Sequence, residues 1–349
     1  MSASRQHLIF AVPGLCGPES DPPVHDYLRN SRPVALDQLL SRARADSGSA
    51  HGLDATLGRL FGIVIDADRE MPVAPFTWLA DTGQSSDAWR MRADPVHLRA
   101  DQSCLRLFDS HSFTITREEA DALVATFNTH FRGSGLELVA PQPQRWYLSL
   151  PRPPALQTVS PDRVAGQDID PCLPRGTDAT HWHALLNEIQ MLFYSHPVNA
   201  AREQGGAPAI NSIWPWGGGC LPGPLQPRLT RVLATHPLAT GLARHASIPM
   251  AEVPVAVEAL LAGPQDGRLL LVDDRLEWPM HYGDIEAWLD GLQALEVDWF
   301  APLLAALRDG ALTSLEIHPC NGRSLQITRG DLRRFWKRVR AFETACEDR

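Results

Sequence analysis

The sequence contains almost no lysine, and this scarcity excludes one class of chemistry. Of the 32 basic residues among 349, the only lysine is Lys337, and the others are arginines. Catalysis through a Schiff base needs a lysine amine, so we do not expect it here. Arginine binds carboxylate and phosphate groups through paired hydrogen bonds, and its abundance favours recognition of anions.

Long apolar runs and paired cysteines are also missing. No run approaches the roughly 18 apolar residues of a membrane helix, so we predict no membrane association. The start, MSASRQHLIFAVPGLCG, holds a short apolar stretch interrupted by Pro13, which is typical of a first strand rather than an export signal. The six cysteines include no C-x-x-C pair, which argues against a zinc site or a disulfide framework. We therefore expect reduced thiols and a cytoplasmic protein.

The charge balance argues against nucleic acid as a partner. The chain has 41 acidic and 32 basic residues and a net charge of −9, whereas a non-specific nucleic-acid binder is normally basic. A basic face on the last predicted helix, 331–346, is compatible with docking of a partner. A solvated helix face is the more ordinary interpretation of such a charge run.

The apolar pattern predicts alternating strands and helices. The clearest element is a helix over 117–131, because Thr116 and Glu119 are spaced as a capping box. The other predicted helices cover 35–45, 179–194, a short segment from Pro197, 285–307 with a break near Pro302, and 331–346. The predicted strands cover 7–12, 61–65, 76–80, 105–108, 136–139, 145–150, 269–272, 313–317 and 324–328.

This order of elements predicts an α/β core with an inserted domain. Strands and helices alternate at both ends of the chain, and a small α+β unit lies between them. The stretch PRPP at 151–154 is typical of a linker. We therefore expect 1–88 as the first part of the core, 89–155 as the inserted α+β domain, and 156–349 as the second part of the core.

The segment SHPVNAAREQGGAPAINSIWPWGGG, 195–219, has the least ordinary composition. Trp214 and Trp216 are two residues apart, so in an extended stretch both side chains point to one side. The glycines at 217–219 allow positive φ or a close backbone approach. We predict a stiff turn backed by the two indoles, with glycine amides facing a ligand or a neighbouring loop. A rigid turn without any ligand is an equally good interpretation.

The segment DDRLEWPMHYGD, 273–284, follows a predicted buried strand. Glu277 and His281 are four residues apart, and a carboxylate with an imidazole after a strand is typical of a divalent metal site. Two ligands alone do not make a site, so ordinary surface polarity remains open. The arginines and carboxylates of 91–113 likewise predict either an anion site or surface ion pairs.

Several of these segments together resemble the cofactor-independent phosphoglycerate mutases of the archaeal type, in the alkaline phosphatase superfamily. The similarity begins at RADPVHLRADQ and includes ITREEADALVATF and LVAPQPQRWYLSL. It is closest at 195–219, where the family has a similar H-x-x-N…R…N-x-x-W-x-W-G-x-G segment. It resumes at VDDRLEWPMHYGDIEAWLDGLQALEVDWFAPLL, where the family has a D-x-x-x-H metal motif. The resemblance covers about residues 90–310, in the family's order.

The resemblance implies an alkaline phosphatase-like α/β core with a two-metal site at its strand ends, a serine nucleophile, and an inserted domain that holds phosphoglycerate through arginines. His281 matches the metal histidine, Glu277 stands where the family's aspartate belongs, and His318 follows Ile317 where the family has Asp-His. The candidate anion-binding residues are then Arg99, Arg145, Asn199, Arg202, Asn211, Trp214, Trp216 and Gly217. If the anion site is retained, Arg99, Arg145 and Arg202 should converge near the tryptophan–glycine segment, 211–219.

The sequence also departs from the family pattern. Pro13-Gly14 stands where the first strand should end in a metal-binding aspartate, and 55–90 offers no clear nucleophile, although Thr56, Thr77 and Ser85 are present. We therefore assign no catalytic residue. We expect a phosphoglycerate mutase-like protein without the two-metal site, which acts as a regulatory or binding protein on a phosphorylated small molecule or a protein partner. The alternative is an active mutase or phosphatase with substituted ligands, and only then are Mn²⁺ or Zn²⁺ expected.

Overall fold

The computed structural model describes residues 5–18, 24–28, 32–64, 70–101, 104–262, 266–334 and 336–347. Contacts between Cα atoms divide the chain into two units. Unit 1 comprises 1–64 with 224–349, and unit 2 comprises 65–223. Within the described ranges, no helix combines the length and the apolar character that a membrane crossing requires.

Twelve strands occur in the described part of the chain. They are β1 (Arg5–Ala11), β2 (Arg44–His51), β3 (Arg90–Asp101), β4 (Cys104–Phe108), β5 (Glu137–Gln142), β6 (Arg145–Ser149), β7 (Ser212–Gly219), β8 (Arg231–Leu233), β9 (Met250–Ala251), β10 (Asp266–Val272), β11 (Ser314–His318) and β12 (Asn321–Thr328).

Fourteen α-helices accompany these strands in the same ranges. They are α1 (Val24–Tyr27), α2 (Val34–Arg42), α3 (Leu53–Leu60), α4 (Val73–Thr82), α5 (Arg117–His130), α6 (Ala179–Tyr194), α7 (Pro197–Gln204), α8 (Pro237–His245), α9 (Val257–Leu261), α10 (Glu277–Tyr282), α11 (Ile285–Leu295), α12 (Ala301–Asp309), α13 (Arg329–Leu332) and α14 (Phe342–Glu347).

Unit 1 is built on a seven-stranded sheet in the order β2-β12-β11-β1-β10-β8-β9. The five strands from β11 to β9 run parallel to one another, whereas β12 pairs antiparallel with β11 and with β2. Alternate residues of β1, among them Leu8 and Phe10, enter an apolar core with Trp288 and Trp299. The parallel strands therefore end at one common edge, where the loops that follow them meet.

The predicted long helix over 285–307 is interrupted by one π-helical turn. This turn, Glu296–Phe300, joins α11 to α12 just before Pro302. Proline has no N–H, and its ring collides with the carbonyl four residues earlier, so the helix accommodates it by a local change of hydrogen-bond register.

Unit 2 holds a five-stranded antiparallel sheet. Strands β4, β3, β6 and β5 are neighbours in that order, and β7 also pairs with β3. Helices α5 and α6 supply Leu123, Phe127 and Trp182 to its core. Unit 2 is larger than the expected inserted domain at 89–155, because α4 packs on β3 and β7, and β7 belongs to the same sheet.

Two predicted strands are wrong. The segment 76–80 lies inside helix α4, which has a buried proline in its first turn and ends at Gly83 with φ +71°. The segment 61–65 follows α3 and forms no strand where it is described, and its Val64 is 93% exposed. A short apolar run does not distinguish a buried strand from a buried helix.

The predicted helix over 331–346 is also wrong for most of its length. Only α13 and α14 are helical, and the described residues between them are not. The backbone N–H of Arg340 donates to Ser41 Oγ, and that of Phe342 donates to Asp37 Oδ1. Trp336, which a continuous helix over 331–346 would place on its buried face, is instead 68% exposed. Bonding to α2 replaces the helical hydrogen bonds here.

The expectation that all six thiols are reduced is contradicted by one pair. Cys16 and Cys346 form a disulfide with a Cα–Cα distance of 5.7 Å. The sequence separation of 330 residues hides this pairing, since no local spacing relates the two cysteines. The bond fastens the last helix to the loop that follows β1.

Cys16→Ser should lower the free energy of unfolding of the oxidised protein by about 2–4 kcal/mol, since the disulfide restricts the unfolded chain. Chemical denaturation with and without reductant measures this, and Cys104→Ser, which removes an unbonded thiol, is the matched control. If reductant leaves the wild-type midpoint unchanged and mass spectrometry finds both thiols free, the bond is absent.

Candidate functional site

Polar side chains meet at the carboxyl ends of β8 and β10 in unit 1. Strands β8 and β10 are parallel neighbours, with Leu233 opposite Leu271. His236 follows β8 as the N-cap of α8, and Asp274 and Glu277 follow β10. Parallel strands end at one edge, so the two loops lie side by side.

The ligand atoms of His236, Asp274 and Glu277 all lie within 4.8 Å of one another. They offer one imidazole nitrogen and two carboxylate oxygens. Glu277 is buried, at 6% exposure, while the other two residues are half-buried. This donor set is suitable for a divalent cation.

Only one of the three predicted metal residues, Glu277, belongs to this cluster. His281 lies one turn later in α10, with its ring 5.7 Å from that of Trp278. His318 ends β11 and is fully buried, with Nε2 2.8 Å from Glu316 Oε1. This hydrogen bond holds the pKa of the Glu316 carboxyl below its usual range.

The end of β1 provides backbone rather than ligands. Pro13 has no side-chain donor or acceptor, and Gly14 adopts φ +79°. A side chain at Gly14 would collide with the carbonyl of Leu276. The Gly14 carbonyl accepts a hydrogen bond of 2.8 Å from Trp288 Nε1, which fixes this loop in position.

The hydroxyls considered as nucleophiles are held by their own helices or lie on the surface. Thr56 Oγ1 donates to the Gly52 carbonyl at 2.8 Å, and Thr77 Oγ1 donates to the Val73 carbonyl at 3.2 Å. Ser85 is exposed in unit 2. Cys320, which the sequence analysis did not single out, is buried in unit 1, and burial raises the pKa of its thiol, which therefore stays neutral.

In unit 2 the tryptophan–glycine segment forms strand β7 and not a turn. Trp214 is 2% exposed and donates from Nε1 to the Val159 carbonyl at 2.7 Å. Trp216 is buried and donates to Asp94 Oδ2 at 2.7 Å. Asp94 also accepts two hydrogen bonds from Arg92 Nη2, each of 2.8 Å. The Trp216 indole thus belongs to a buried polar network, and the Trp214 indole holds β7 to the backbone at Val159.

The glycines of β7 approach other parts of unit 2 closely. The Gly217 N–H donates to Glu70 Oε2 at 2.8 Å, so this amide faces a neighbouring loop, which is one of the two expected arrangements. A side chain at Gly218 would meet the ring of Trp89, and one at Gly219 would meet Pro72. The glycines of β7 therefore allow the strand to pack closely against neighbouring side chains of unit 2.

The three arginines expected to converge have separate partners. Arg145 contacts Asp81, with Nε 2.9 Å from Oδ2, and Tyr147 donates to the same carboxylate. Arg202, 5% exposed in its side chain, donates to Glu119 Oε2 at 2.8 Å. Arg202 also contacts main-chain carbonyls and an aromatic ring. Arg99 is exposed, and its guanidinium lies 4.5 Å from the ring of Phe108. No described contact brings the three onto one shared group, so an anion site made by all three stays a prediction.

The two asparagines of the segment bind backbone. Asn199 donates to the carbonyls of Phe193 and Ile210, each at 2.8 Å. Asn211 accepts from the N–H of Leu98 and donates to its carbonyl, both at 2.8 Å. Both amides therefore connect neighbouring segments of unit 2.

The sequence of this chain is similar to those of known enzymes. It is 24% identical over 245 residues to the 2,3-bisphosphoglycerate-independent phosphoglycerate mutase of Methanosarcina acetivorans, a match that covers 66% of this chain and 60% of that enzyme. It is 28% identical over 166 residues to the enzyme of the same name from Methanothrix thermoacetophila, with 42% of each chain covered. The chain is a divergent relative of the cofactor-independent phosphoglycerate mutases. No protein-family model matches it.

A solved structure shares the fold of this chain. The PH0037 protein of Pyrococcus horikoshii has a TM-score of 0.55 with this structure at 15% identity, over 98% of this chain and 92% of that one. The α/β core that the resemblance implied is confirmed, and its fold is similar to that of the PH0037 protein. The matches cover less than two thirds of the length of the two named phosphoglycerate mutases.

Sequence reasoning missed two residues of the cluster. Asp274 belongs to the acidic pair directly after the predicted strand 269–272, so a signal for it was present. His236 follows β8, which has only three residues and is too short to give a periodic pattern. The contact between these loops depends on the strand order, which local sequence does not specify.

Trp214→Ala should lower the free energy of unfolding by about 3–5 kcal/mol, because it removes a large buried aromatic side chain. Urea denaturation measures this, and Tyr194→Ala, at an 81% exposed site of the same unit, is the control. A midpoint equal to that of wild type would mean that the segment is a surface loop.

The contribution of Glu70 to the stability of the protein should fall as pH rises from about 4.5 to about 7, because burial raises the pKa of this carboxyl to about 7. The folded state binds this proton more tightly than the unfolded state, so proton release at higher pH favours unfolding. Urea denaturation of wild type and Glu70→Gln across this range should show a difference that grows with pH in favour of the variant. Glu203→Gln, at an exposed site, should follow wild type, and parallel curves for Glu70→Gln would contradict the assignment.

Proposed function

We propose that this chain is a phosphoglycerate mutase-like protein that has lost the two-metal phosphoryl-transfer site and acts by binding, as a regulatory or scaffold protein. The observation that carries this proposal is the end of β1. Pro13 offers no ligand atom where the resemblance implies a metal-binding aspartate. Gly14 packs against the Leu276 carbonyl, which leaves no room for a side chain.

The end of β11 supports the same proposal. Ile317 lies in the apolar core at the position where the resemblance implies an aspartate. His318 follows it, and its Nε2 already contacts Glu316. A pair of divalent metals needs several carboxylate and imidazole ligands at once to offset the phosphoryl charge. The residues at these two strand ends do not fit that requirement.

The hydroxyl groups add further support. A nucleophile needs a neighbouring base or metal to remove its proton. Thr56 and Thr77 instead donate to carbonyls of their own helices. These hydrogen bonds are typical of threonines within a helix and not of a hydroxyl that attacks a phosphoryl group.

A phosphorylated small molecule is the ligand that we propose for such a binding protein, with a protein partner as the alternative. Arg145 and Arg202 already hold the carboxylates of Asp81 and Glu119, so a phosphate would have to displace them. Arg99 is exposed and stacks on Phe108, so a phosphorylated ligand would reach it first. The guanidinium geometry suits such a group.

We predict no interconversion of 3-phosphoglycerate and 2-phosphoglycerate with Mn²⁺, Mg²⁺ or Co²⁺. The reason is the missing ligand set at the ends of β1 and β11. A coupled spectrophotometric assay measures this, with the Methanosarcina acetivorans enzyme as positive control. Turnover of roughly 1–10³ per second that disappears in His281→Ala would refute the proposal.

A metal-dependent mutase or phosphatase with substituted ligands is the second candidate. One observation favours it, namely that Glu277 lies with His236 and Asp274 in a cluster of metal-ligating groups. Metal analysis of purified protein discriminates the two candidates. Two Mn²⁺ or Zn²⁺ ions per chain together with turnover would support the enzyme, and at most one ion without turnover supports the binding protein.

A further inference from the structure

The cluster at the ends of β8 and β10 has the geometry of a small cation site. Metal–ligand bonds of about 2.0–2.2 Å to nitrogen and oxygen place neighbouring ligand atoms about 3–4 Å apart. The corresponding atoms of His236, Asp274 and Glu277 lie within 4.8 Å of one another. Small side-chain rotations therefore suffice to bring all three onto one ion.

We propose that His236, Asp274 and Glu277 bind a single divalent transition-metal cation of the Zn²⁺ or Mn²⁺ class. One imidazole with two carboxylates is a donor set that these ions accept. Three protein ligands leave at least one coordination position for water or for an anionic ligand.

The electrostatics of the cluster favour a cation. Two carboxylates at this separation repel each other, and Glu277 is 6% exposed, so its charge is poorly solvated. The neighbouring Arg275 directs its guanidinium elsewhere, to Asp273 at 2.7 Å and Asp298 at 3.1 Å. A divalent ion between the two carboxylates would offset both charges.

This site differs from the two-metal site that the resemblance implies. His236 and Asp274 stand at positions to which the resemblance assigns no ligand, and the cluster includes neither His281 nor His318. The inference is independent of the proposed function, since one ion at these loops does not supply the ligands missing at the ends of β1 and β11.

Isothermal titration calorimetry of the full-length protein, stripped with EDTA, tests the inference with ZnCl₂ and with MnCl₂. Mn²⁺ is included because it prefers oxygen and imidazole over the four cysteine thiols outside the disulfide. We expect one saturable site per chain and a higher thermal midpoint with metal, because the ion binds only the folded protein.

Variants assign the site. His236→Ala and Asp274→Asn should each weaken binding by more than the about 10–100-fold that loss of an outer-shell partner causes. His245→Ala and Asp290→Asn, at positions outside the cluster, are the matched controls and should bind as wild type does. Circular dichroism and the metal-free thermal midpoint check that the variants fold. Asp274 is half-buried, so the isosteric asparagine should be tolerated.

Two outcomes would overturn the inference. One is the absence of saturable binding up to millimolar metal, which would mean that the three side chains form a polar cluster without an ion. The other is unchanged binding in both cluster variants, which would place the ion elsewhere. Neither outcome supplies the ligands missing at the ends of β1 and β11, so this inference can fail while the proposed function stands, and the two failures are distinguishable.

Discussion

Strand β1 pairs in parallel with β10 on one side and β11 on the other, and this pairing determines where unit 1 can place chemistry. The ladder continues past the strand ends, since the Asp273 N–H donates to the Ala11 carbonyl and the Val12 N–H donates to the His318 carbonyl. The loops after these strands are therefore held at one edge of the sheet. At the centre of this edge the backbone of Gly14 lies against the Leu276 carbonyl and leaves no room for a side chain. The cluster of metal-ligating side chains therefore lies to one side of β1, at the ends of β10 and β8.

Unit 2 shows how a segment that resembles an anion site can serve structure instead. A buried guanidinium needs a partner, because its charge is costly to leave unpaired away from water. Here the partners are carboxylates of the same unit, with Asp94 beside Arg92 and Asp81 beside Arg145. The indole of Trp216 donates to Asp94 as well. Arg92, Arg145 and Trp216 therefore all have hydrogen-bonding partners within unit 2.

The parts of the fold that local sequence specifies were predictable. The Thr116–Glu119 capping box forms as expected and begins α5, and the burial of Trp214 agrees with the spacing of the indoles. The wrong predictions fall on segments whose secondary structure depends on tertiary contacts. Helix α4 is buried around most of its circumference and lacks a periodic signal. The residues after α13 exchange helical hydrogen bonds for bonds to α2, which no local pattern specifies.

The candidate site was predictable only in the two carboxylates that follow β10, although the sequence analysis singled out Glu277 and not Asp274. Glu277 follows a strand that the sequence indicates clearly, so its place at the sheet edge could be predicted. His236 depends on a three-residue strand and on the adjacency of β8 and β10. That adjacency is a property of the sheet order, which is set by the packing of the whole unit.

Buried carboxylates in this protein are neutralised in different ways, and the comparison bears on the cluster at His236. The negative charge of Asp94 is offset by the guanidinium of Arg92. Glu70 avoids a buried charge in another way, because burial raises its pKa to about 7 and it keeps its proton at lower pH. The cluster holds two carboxylates and one imidazole. A protonated imidazole offsets one of the two negative charges, whereas a divalent cation with a neutral imidazole offsets both. The charge balance of the three side chains therefore matches one divalent ion.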